Sequence, residues 1–213
     1  MSVPIIQLFL KAPIPGYVKT RLARTLGDVR ACAVYKALVH RQIKALPAGW
    51  PLEIHFTPPK AEASIQSWIV GADRYVPQAD GNLGARLAAA AASAFRRRSG
   101  QVFLIGADCP TLDEETFYSG LAALTHGNDV AFGPTRDGGY YLLALKLFEP
   151  ALFQGIPWST PEVLERSLQQ AEFAGLIATL LEEKDDIDDW DSLRRSGFTV
   201  ADSRNQPQAE WHG

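Results

Sequence analysis

The sequence predicts an α/β fold in which helices cover both faces of a mostly parallel central sheet. Short apolar runs alternate with helical patterns along the chain, which is typical of strands joined by helical crossovers. Two consecutive strand candidates within residues 129–146 are joined by a glycine-rich turn, which indicates one antiparallel step. The unusual polar residues mostly follow strand ends, where open α/β sheets bind ligands.

The elements follow from these patterns in chain order. Apolar runs predict six strands, at residues 5–10, 52–57, 101–106, 129–133, 140–146 and 176–181. A seventh, very short strand is expected at residues 74–77. Periodic patterns predict six helices, at residues 20–46, 60–70, 83–98, 113–125, 161–173 and 189–195. The first helix is expected to break near Gly27, because glycine is unfavourable inside a helix.

Length and composition suit one globular domain. The chain has 213 residues, of which 46% are hydrophobic and 21% are charged. We expect residues 1–200 to form this domain and the polar residues 201–213 to form a loose tail. The net charge of −3 argues against nucleic-acid polymers and anionic membranes as partners, since both attract basic surfaces.

Two further features bear on the environment of the chain. Its two cysteines are too few for a disulfide framework or a zinc site. The apolar run near the N-terminus lacks preceding basic residues and is too short for a signal peptide or a membrane span. We therefore expect a cytoplasmic protein.

A rigid, cationic loop follows the first predicted strand. It contains Pro13, Pro15 and Gly16, and then Lys19 and Arg21, where a long helical pattern begins. Two cations at a helix N-terminus are unfavourable unless an anion offsets them, so pyrophosphate binding is favoured over surface charge alone. The loop is not a Walker P-loop, because valine and proline stand where that motif needs glycine.

Residues 78–86 form a second candidate segment. Gly81 and Gly84 would let the backbone approach a ligand closely, and Arg86 adds a cation in the first turn of the next helix. A turn followed by a helix explains the same residues equally well.

A carboxylate ends the predicted strand at residues 101–106. Thr111 and Glu114 fit a capping box for the following helix, which leaves Asp108 without a structural role. We therefore predict that Asp108 is a ligand for Mg²⁺ or Mn²⁺, which prefer oxygen ligands.

Three weaker signals complete the set. Residues 137–139 read Asp-Gly-Gly, which alone is a common turn. Ser159 and Glu162 fit a capping box for the helix that follows. The acidic run at residues 185–191 is either a solvated face or, because Ile187 and Trp190 would anchor it, the source of a second metal ligand.

Five segments together resemble the DUF2064 proteins, which are glycosyltransferase-A-like and similar to 2-phospho-L-lactate guanylyltransferase. The segments are residues 10–22, 78–86, 106–110, 133–134 together with 137–142, and 158–160, and the resemblance extends over roughly residues 5–200. It implies the nucleotide-diphospho-sugar transferase fold, which is GT-A and Rossmann-like, and a divalent cation that holds a nucleotide.

The resemblance also implies roles for individual residues. Asp108 matches the metal-binding aspartate of the superfamily, and Asp188 matches a second ligand in its Asp-x-Asp ending, although Asp189 and Trp190 replace the usual Thr-Pro. The residues expected to bind the nucleotide are Lys11, Pro15, Gly16, Lys19, Arg21, Gln78, Gly81, Gly84 and Arg86. The usual glycine-rich first-loop signature is missing, so no base specificity is implied.

The function expected from these residues is a metal-dependent transfer from an activated nucleotide to a small acceptor. The family resemblance favours a nucleotide-sugar-dependent glycosyltransferase, with Lys19 and Arg21 stabilising the leaving diphosphate and Asp137 as the base. A nucleotidyltransferase, whose phosphate acceptor needs no base, is the first alternative. A nucleotide-binding protein without catalysis is the second.

Overall fold

A seven-stranded sheet forms the centre of the computed structural model, which describes residues 3–97 and 100–198. The strands of this sheet are β1 (Ile5–Lys11), β2 (Leu52–Thr57), β3 (Arg74–Pro77), β4 (Val102–Ile105), β5 (Val130–Pro134), β6 (Tyr140–Leu145) and β7 (Ala178–Leu180). The described α-helices are α1 (Thr20–Leu26), α2 (Asp28–Lys44), α3 (Glu62–Trp68), α4 (Leu83–Arg96), α5 (Glu114–Thr125), α6 (Val163–Phe173) and α7 (Trp190–Ser196).

The strand order confirms the predicted sheet and its antiparallel step. The order is β3-β2-β1-β4-β6-β5-β7, and β6 runs antiparallel to both of its neighbours while the other pairings are parallel. Strands β2 and β3 lie on one side of β1, and β4 lies on its other side. The loops after β1 and β4 therefore diverge at a switch point, which is where open α/β sheets bind ligands.

Alternating side chains of the strands divide the core into two layers. On β1, Ile6, Leu8 and Leu10 belong to the layer that packs against α2, α3 and α5. Ile5 and Phe9 face the opposite layer, which packs against α4 and α6. Helices therefore cover both faces of the sheet, as the sequence predicts.

The predicted break at Gly27 is confirmed, and it leaves α1 with only seven residues. Gly27 has a φ of 79°, a value that glycine adopts without the penalty of a side chain. The first loop is therefore followed by a short helix, and the longer helix α2 begins after the break, at Asp28.

Both predicted capping boxes are wrong. The N-cap of α5 is Asp113, whose Oδ1 accepts a hydrogen bond from the backbone N–H of Thr116 at 2.9 Å. The N-cap of α6 is Glu162, which makes no side-chain cap bond, and Ser159 has a φ of 67° in the turn before it. Because Asp113 caps α5, Asp108 is still not needed as a helix cap.

No helix in the described part of the chain is long and apolar enough to cross a membrane. The predicted tail at residues 201–213 lies outside the described residues, as does Arg98 of the predicted helix end.

A buried ionic cluster lies between the sheet and α4. The carboxylate of Glu53, 1% exposed, accepts a hydrogen bond from Gln7 Nε2 at 2.9 Å and lies 3.3 Å from His55 Nε2. Its other oxygen pairs with Arg97 and, at 3.2 Å, with Arg74. Burial alone would raise the pKa of Glu53, but the hydrogen bonds from His55 and Gln7 and the charge of Arg97 outweigh it and lower the pKa to about 2.

Glu53 should contribute an acid-sensitive part of the stability. Its carboxylate is stabilised in the folded chain, so the contribution is complete above pH 4.5 and disappears as the pH falls towards about 2. The shift corresponds to about 3 kcal/mol in the free energy of unfolding. Urea unfolding of the wild type and Glu53→Gln between pH 7 and pH 2.5 should show the gap between them narrowing at acid pH. A constant gap would contradict this role.

Candidate active site at the ends of β1 and β4

Lys19 lies at the centre of the candidate site. Its Nζ is 2.6 Å from Asp108 Oδ1 and 3.0 Å from Asp188 Oδ1, and it also donates a hydrogen bond to the carbonyl of Ile187. The Lys19 side chain is 4% exposed, whereas those of Asp108 and Asp188 are 39% and 50% exposed. Burial would lower the pKa of Lys19, but the two carboxylates outweigh it and raise the pKa above its ordinary value.

A buried side chain brings the two carboxylates together. Ile187 is fully buried in a small core formed with Leu22, Val34, Leu38 and Leu193. Its backbone N–H donates to the carbonyl oxygen of Asp108 at 3.0 Å, so the loop after β4 and the acidic run are joined directly. The anchoring predicted for Ile187 is therefore confirmed.

The anchoring predicted for Trp190 is wrong. Its relative exposure is 38%, and it lines an apolar surface groove together with Leu26, Val34 and Phe198. The segment is held instead by the cap of α7, where Asp189 Oδ1 accepts from the backbone N–H of Ser192 at 2.9 Å.

Sequence reasoning missed Asp186. Its Oδ1 is shielded from solvent and has no hydrogen-bond partner among the described residues. Burial, followed by the charge of Asp108, raises the pKa of Asp186 to about 8. The Asp-x-Asp spacing was an available signal, because residues two apart on an extended chain point to the same side.

Asp137 lies near this cluster and is held by its own turn. Its Oδ1 accepts from the hydroxyl of Thr135 at 2.6 Å and from the backbone N–H of Gly139 at 3.2 Å. Thr135 forms a parallel bridge with Lys184, which places this turn beside the segment that leads to Asp186. The negative charge of Asp137 also contributes to the raised pKa of Asp186.

The remaining first-loop residues lie near the end of β1. The backbone N–H and carbonyl of Lys11 both pair with the hydroxyl of Tyr35, at 2.9 and 3.0 Å, while the Lys11 side chain extends into solvent. Pro15 and Gly16 are exposed, and Gly16 has a φ of 79° that favours glycine. Arg21 is exposed and forms no ion pair with the described residues.

The segment at residues 78–86 is attached to the same edge of the sheet. Gln78 Nε2 donates to the carbonyls of Leu10 and His55 at 3.1 and 2.9 Å. Arg86 donates to Gln78 Oε1 at 3.3 Å and to the carbonyl of Gly81 at 3.0 Å. Within residues 3–97 and 100–198, no hydrogen bond or ion pair joins this group to Lys19, so their cooperation in nucleotide binding stays a prediction.

The structure gives Gly84 a packing role. A Cβ atom at this position would lie 2.3 Å from Trp158 Nε1 and 2.8 Å from the carbonyl oxygen of Phe153. The missing side chain therefore lets the indole pack against α4. Close approach to a nucleotide is not needed to explain this glycine.

The atoms around Lys19 Nζ are chemically suited to a divalent cation. They are carboxylate and carbonyl oxygens, which Mg²⁺ and Mn²⁺ prefer, and they already surround a positive charge. The described residues contain no cluster of three or more His, Cys, Asp or Glu side chains with metal-site geometry. Magnesium sites of phosphate-transfer enzymes need only one or two carboxylates, because water and substrate phosphates supply the other ligands.

The topology and the solved structures similar to it define the fold class, which is that of nucleotide-diphospho-sugar transferases. A provisionally assigned nucleotide-diphospho-sugar transferase from Desulfovibrio desulfuricans G20 is 31% identical and superimposes with a TM-score of 0.86, over 96% of this chain and 91% of that one. The chain itself belongs to the DUF2064 family, whose model, described as an uncharacterized protein conserved in bacteria, matches residues 42–160. The family resemblance and the fold expected from the sequence are thus confirmed.

More distant structures share the fold. A 4-diphosphocytidyl-2C-methyl-D-erythritol synthase from Anaerococcus prevotii is 10% identical, with a TM-score of 0.59 over 90% of this chain and 96% of that one. A cytidylyltransferase from Leptospira borgpetersenii is 12% identical, with a TM-score of 0.55 over the whole of both chains. No curated protein matches the sequence.

Gly84→Ala should destabilise the protein, because the new methyl group meets the Trp158 indole and the backbone of Phe153. Overpacking of this kind costs about 1–3 kcal/mol in the free energy of unfolding. Gly106→Ala is the matched control, since a Cβ there has no neighbour within 4 Å. Urea unfolding of both variants tests the packing role, and equal stability of the two would refute it.

Proposed function

We propose that this chain is a metal-dependent transferase that acts on an activated nucleotide and a small acceptor. The observation that supports this proposal is the set of oxygens from Asp108, Asp188 and Ile187 around a buried cation at the switch point of the sheet. A site that stabilises positive charge between carboxylates is suited to a metal-bound phosphate. The names of its structural relatives support the same reaction class.

Asp108 and Asp188 would hold the cation, and water and substrate phosphates would supply its other ligands. A bound Mg²⁺ or Mn²⁺ would neutralise negative charge on the phosphates and on the leaving oxygen. Lys19 and Arg21 would stabilise the same charge from the first loop.

Transfer of a sugar from a nucleotide sugar is the first candidate reaction. The relative with 31% identity, which aligns over nearly the whole chain, supports this choice. The acceptor would be a hydroxyl group, and Asp137 would accept its proton. The bonds from Thr135 and Gly139 fix Oδ1 of Asp137, and no hydrogen bond from the described residues reaches its Oδ2.

Nucleotidyl transfer to a small phosphorylated acceptor is the second candidate. This reaction needs no base, and the hydrogen bonds of Asp137 already explain why an aspartate is present in the turn. Asp137 therefore does not have to be a base, which favours this candidate. An acceptor phosphate is already anionic, so positioning and charge stabilisation would carry the reaction.

Asp108→Asn should weaken metal-dependent nucleotide binding at least about 10-fold, equivalent to 1.4 kcal/mol, because a neutral amide is a poor ligand for a hard cation. Calorimetry with nucleoside di- and triphosphates, with and without Mn²⁺, measures the effect. Asp191→Asn is the control, since this exposed residue belongs to the same acidic run and should leave binding unchanged. Unchanged binding by Asp108→Asn would overturn the metal assignment.

Asp137→Asn separates the two reactions. An asparagine Oδ1 can still accept the bonds from Thr135 and Gly139, so the turn is retained while the base is lost. For glycosyl transfer we expect kcat to fall about 100-fold or more. The assay follows nucleoside diphosphate released from a panel of nucleotide sugars.

For nucleotidyl transfer we expect pyrophosphate release from a nucleoside triphosphate, with little effect of Asp137→Asn. No turnover with either panel, in the presence of tight nucleotide binding, would favour a binding protein without catalysis.

A further inference from the structure

The Lys19 ammonium uses all of its donors inside the protein. It carries three N–H groups, and its three acceptors are Asp108, Asp188 and the carbonyl of Ile187. With a side chain only 4% exposed, it has no remaining donor for a phosphate. In this arrangement Lys19 cannot perform the phosphate contact expected of it.

The same ammonium occupies the position that suits a divalent cation. It contacts Oδ1 of Asp108 and Oδ1 of Asp188, the two carboxylates that would hold the metal. Metal–oxygen distances of about 2.0–2.1 Å would put a Mg²⁺ ion bound to both atoms in direct conflict with Nζ. Two positive charges at such short range also repel each other strongly.

The backbone of Lys19 has a conformation that is unfavourable for a residue with a side chain. Its φ and ψ are 49° and 45°, in the left-handed region that is unfavourable for a non-glycine residue. It is the N-cap of α1 but makes no side-chain cap bond. Loss of the carboxylate contacts would therefore free the residue to change its backbone as well as its rotamer.

We propose that Lys19 and a divalent cation are alternative occupants of one position. In the ligand-free chain the ammonium neutralises Asp108 and Asp188, and metal binding displaces it towards the nucleotide phosphates. The same step would load the metal and release the phosphate-binding lysine. This inference rests on the proposed function, because it assumes that Asp108 and Asp188 are metal ligands.

The direct test measures Mn²⁺ binding in the absence of nucleotide. Binding is monitored through the decrease in the EPR signal of free Mn²⁺. Lys19→Met removes the competing charge and nearly keeps the side-chain length, so we expect it to bind Mn²⁺ about 10-fold or more tightly than the wild type, within the usual range of coupling between ligands. Arg24→Met is the control, because it removes an exposed cation from α1 and should leave the affinity unchanged. Equal or weaker binding by Lys19→Met would overturn the proposal.

A second measurement uses the wild-type chain and does not depend on the folding of a variant. Lysine labelling by reductive methylation, read by mass spectrometry, should be slow at Lys19 in EDTA, because the ammonium is buried and ion-paired. Saturating Mg²⁺ should accelerate labelling at Lys19 and leave the exposed Lys60 unchanged. Labelling of Lys19 that does not respond to Mg²⁺ would also overturn displacement.

These outcomes separate the inference from the proposed function. Turnover with Mg²⁺ in a protein whose Lys19 labelling ignores the metal would leave the transfer intact and overturn the displacement. Tighter Mn²⁺ binding by Lys19→Met in a protein that turns over no activated nucleotide would support the displacement and overturn the transfer.

Discussion

The pairing of the Lys19 ammonium with Asp108 and Asp188 is the interaction on which the rest of the site depends. The Lys19 ammonium is buried, and a buried charge is costly unless it is paired, so the two carboxylates offset the cost of burying it. The lysine and Asp188 are separated by 169 positions in the sequence. The burial of Ile187 and its hydrogen bond to the backbone of Asp108 hold Asp188 close to Asp108. These contacts do not involve the charged groups.

Helix α2 stabilises the backbone next to the Lys19–Asp108 contact. The hydroxyl of Tyr35 pairs with both backbone groups of Lys11 at the end of β1, and Gln42 Nε2 donates to the carbonyl of Gly106 just after β4, at 3.0 Å. One helix thus holds the backbone where the two loops of the candidate site begin. Because β1 and β4 are neighbours in the sheet, α2 contacts the starts of the two loops at adjacent points.

The sequence was sufficient for the sheet, the ends of its strands and the anchor at Ile187, because apolar periodicity records burial directly. It was not sufficient for the contact between Lys19 and Asp188, since no local pattern marks two distant residues as partners. The capping error at α5 had a local cause. Thr111 and Asp113 are both acceptable N-cap residues, and only the packing of the helix decides where its first turn begins.

In the proposed function, the position of the Lys19 ammonium would constrain how the nucleotide donor binds much more than how the acceptor binds. In the proposed transfer, Asp108, Asp188 and Lys19 would all act on phosphate charge, which glycosyl and nucleotidyl donors share. Only Asp137 distinguishes the two reactions, and its turn fixes Oδ1 while no described hydrogen bond engages Oδ2. A carboxylate oriented through one oxygen with the other available is the geometry that a base requires. In the proposed function, the acceptor rather than the nucleotide would therefore decide between the two reactions.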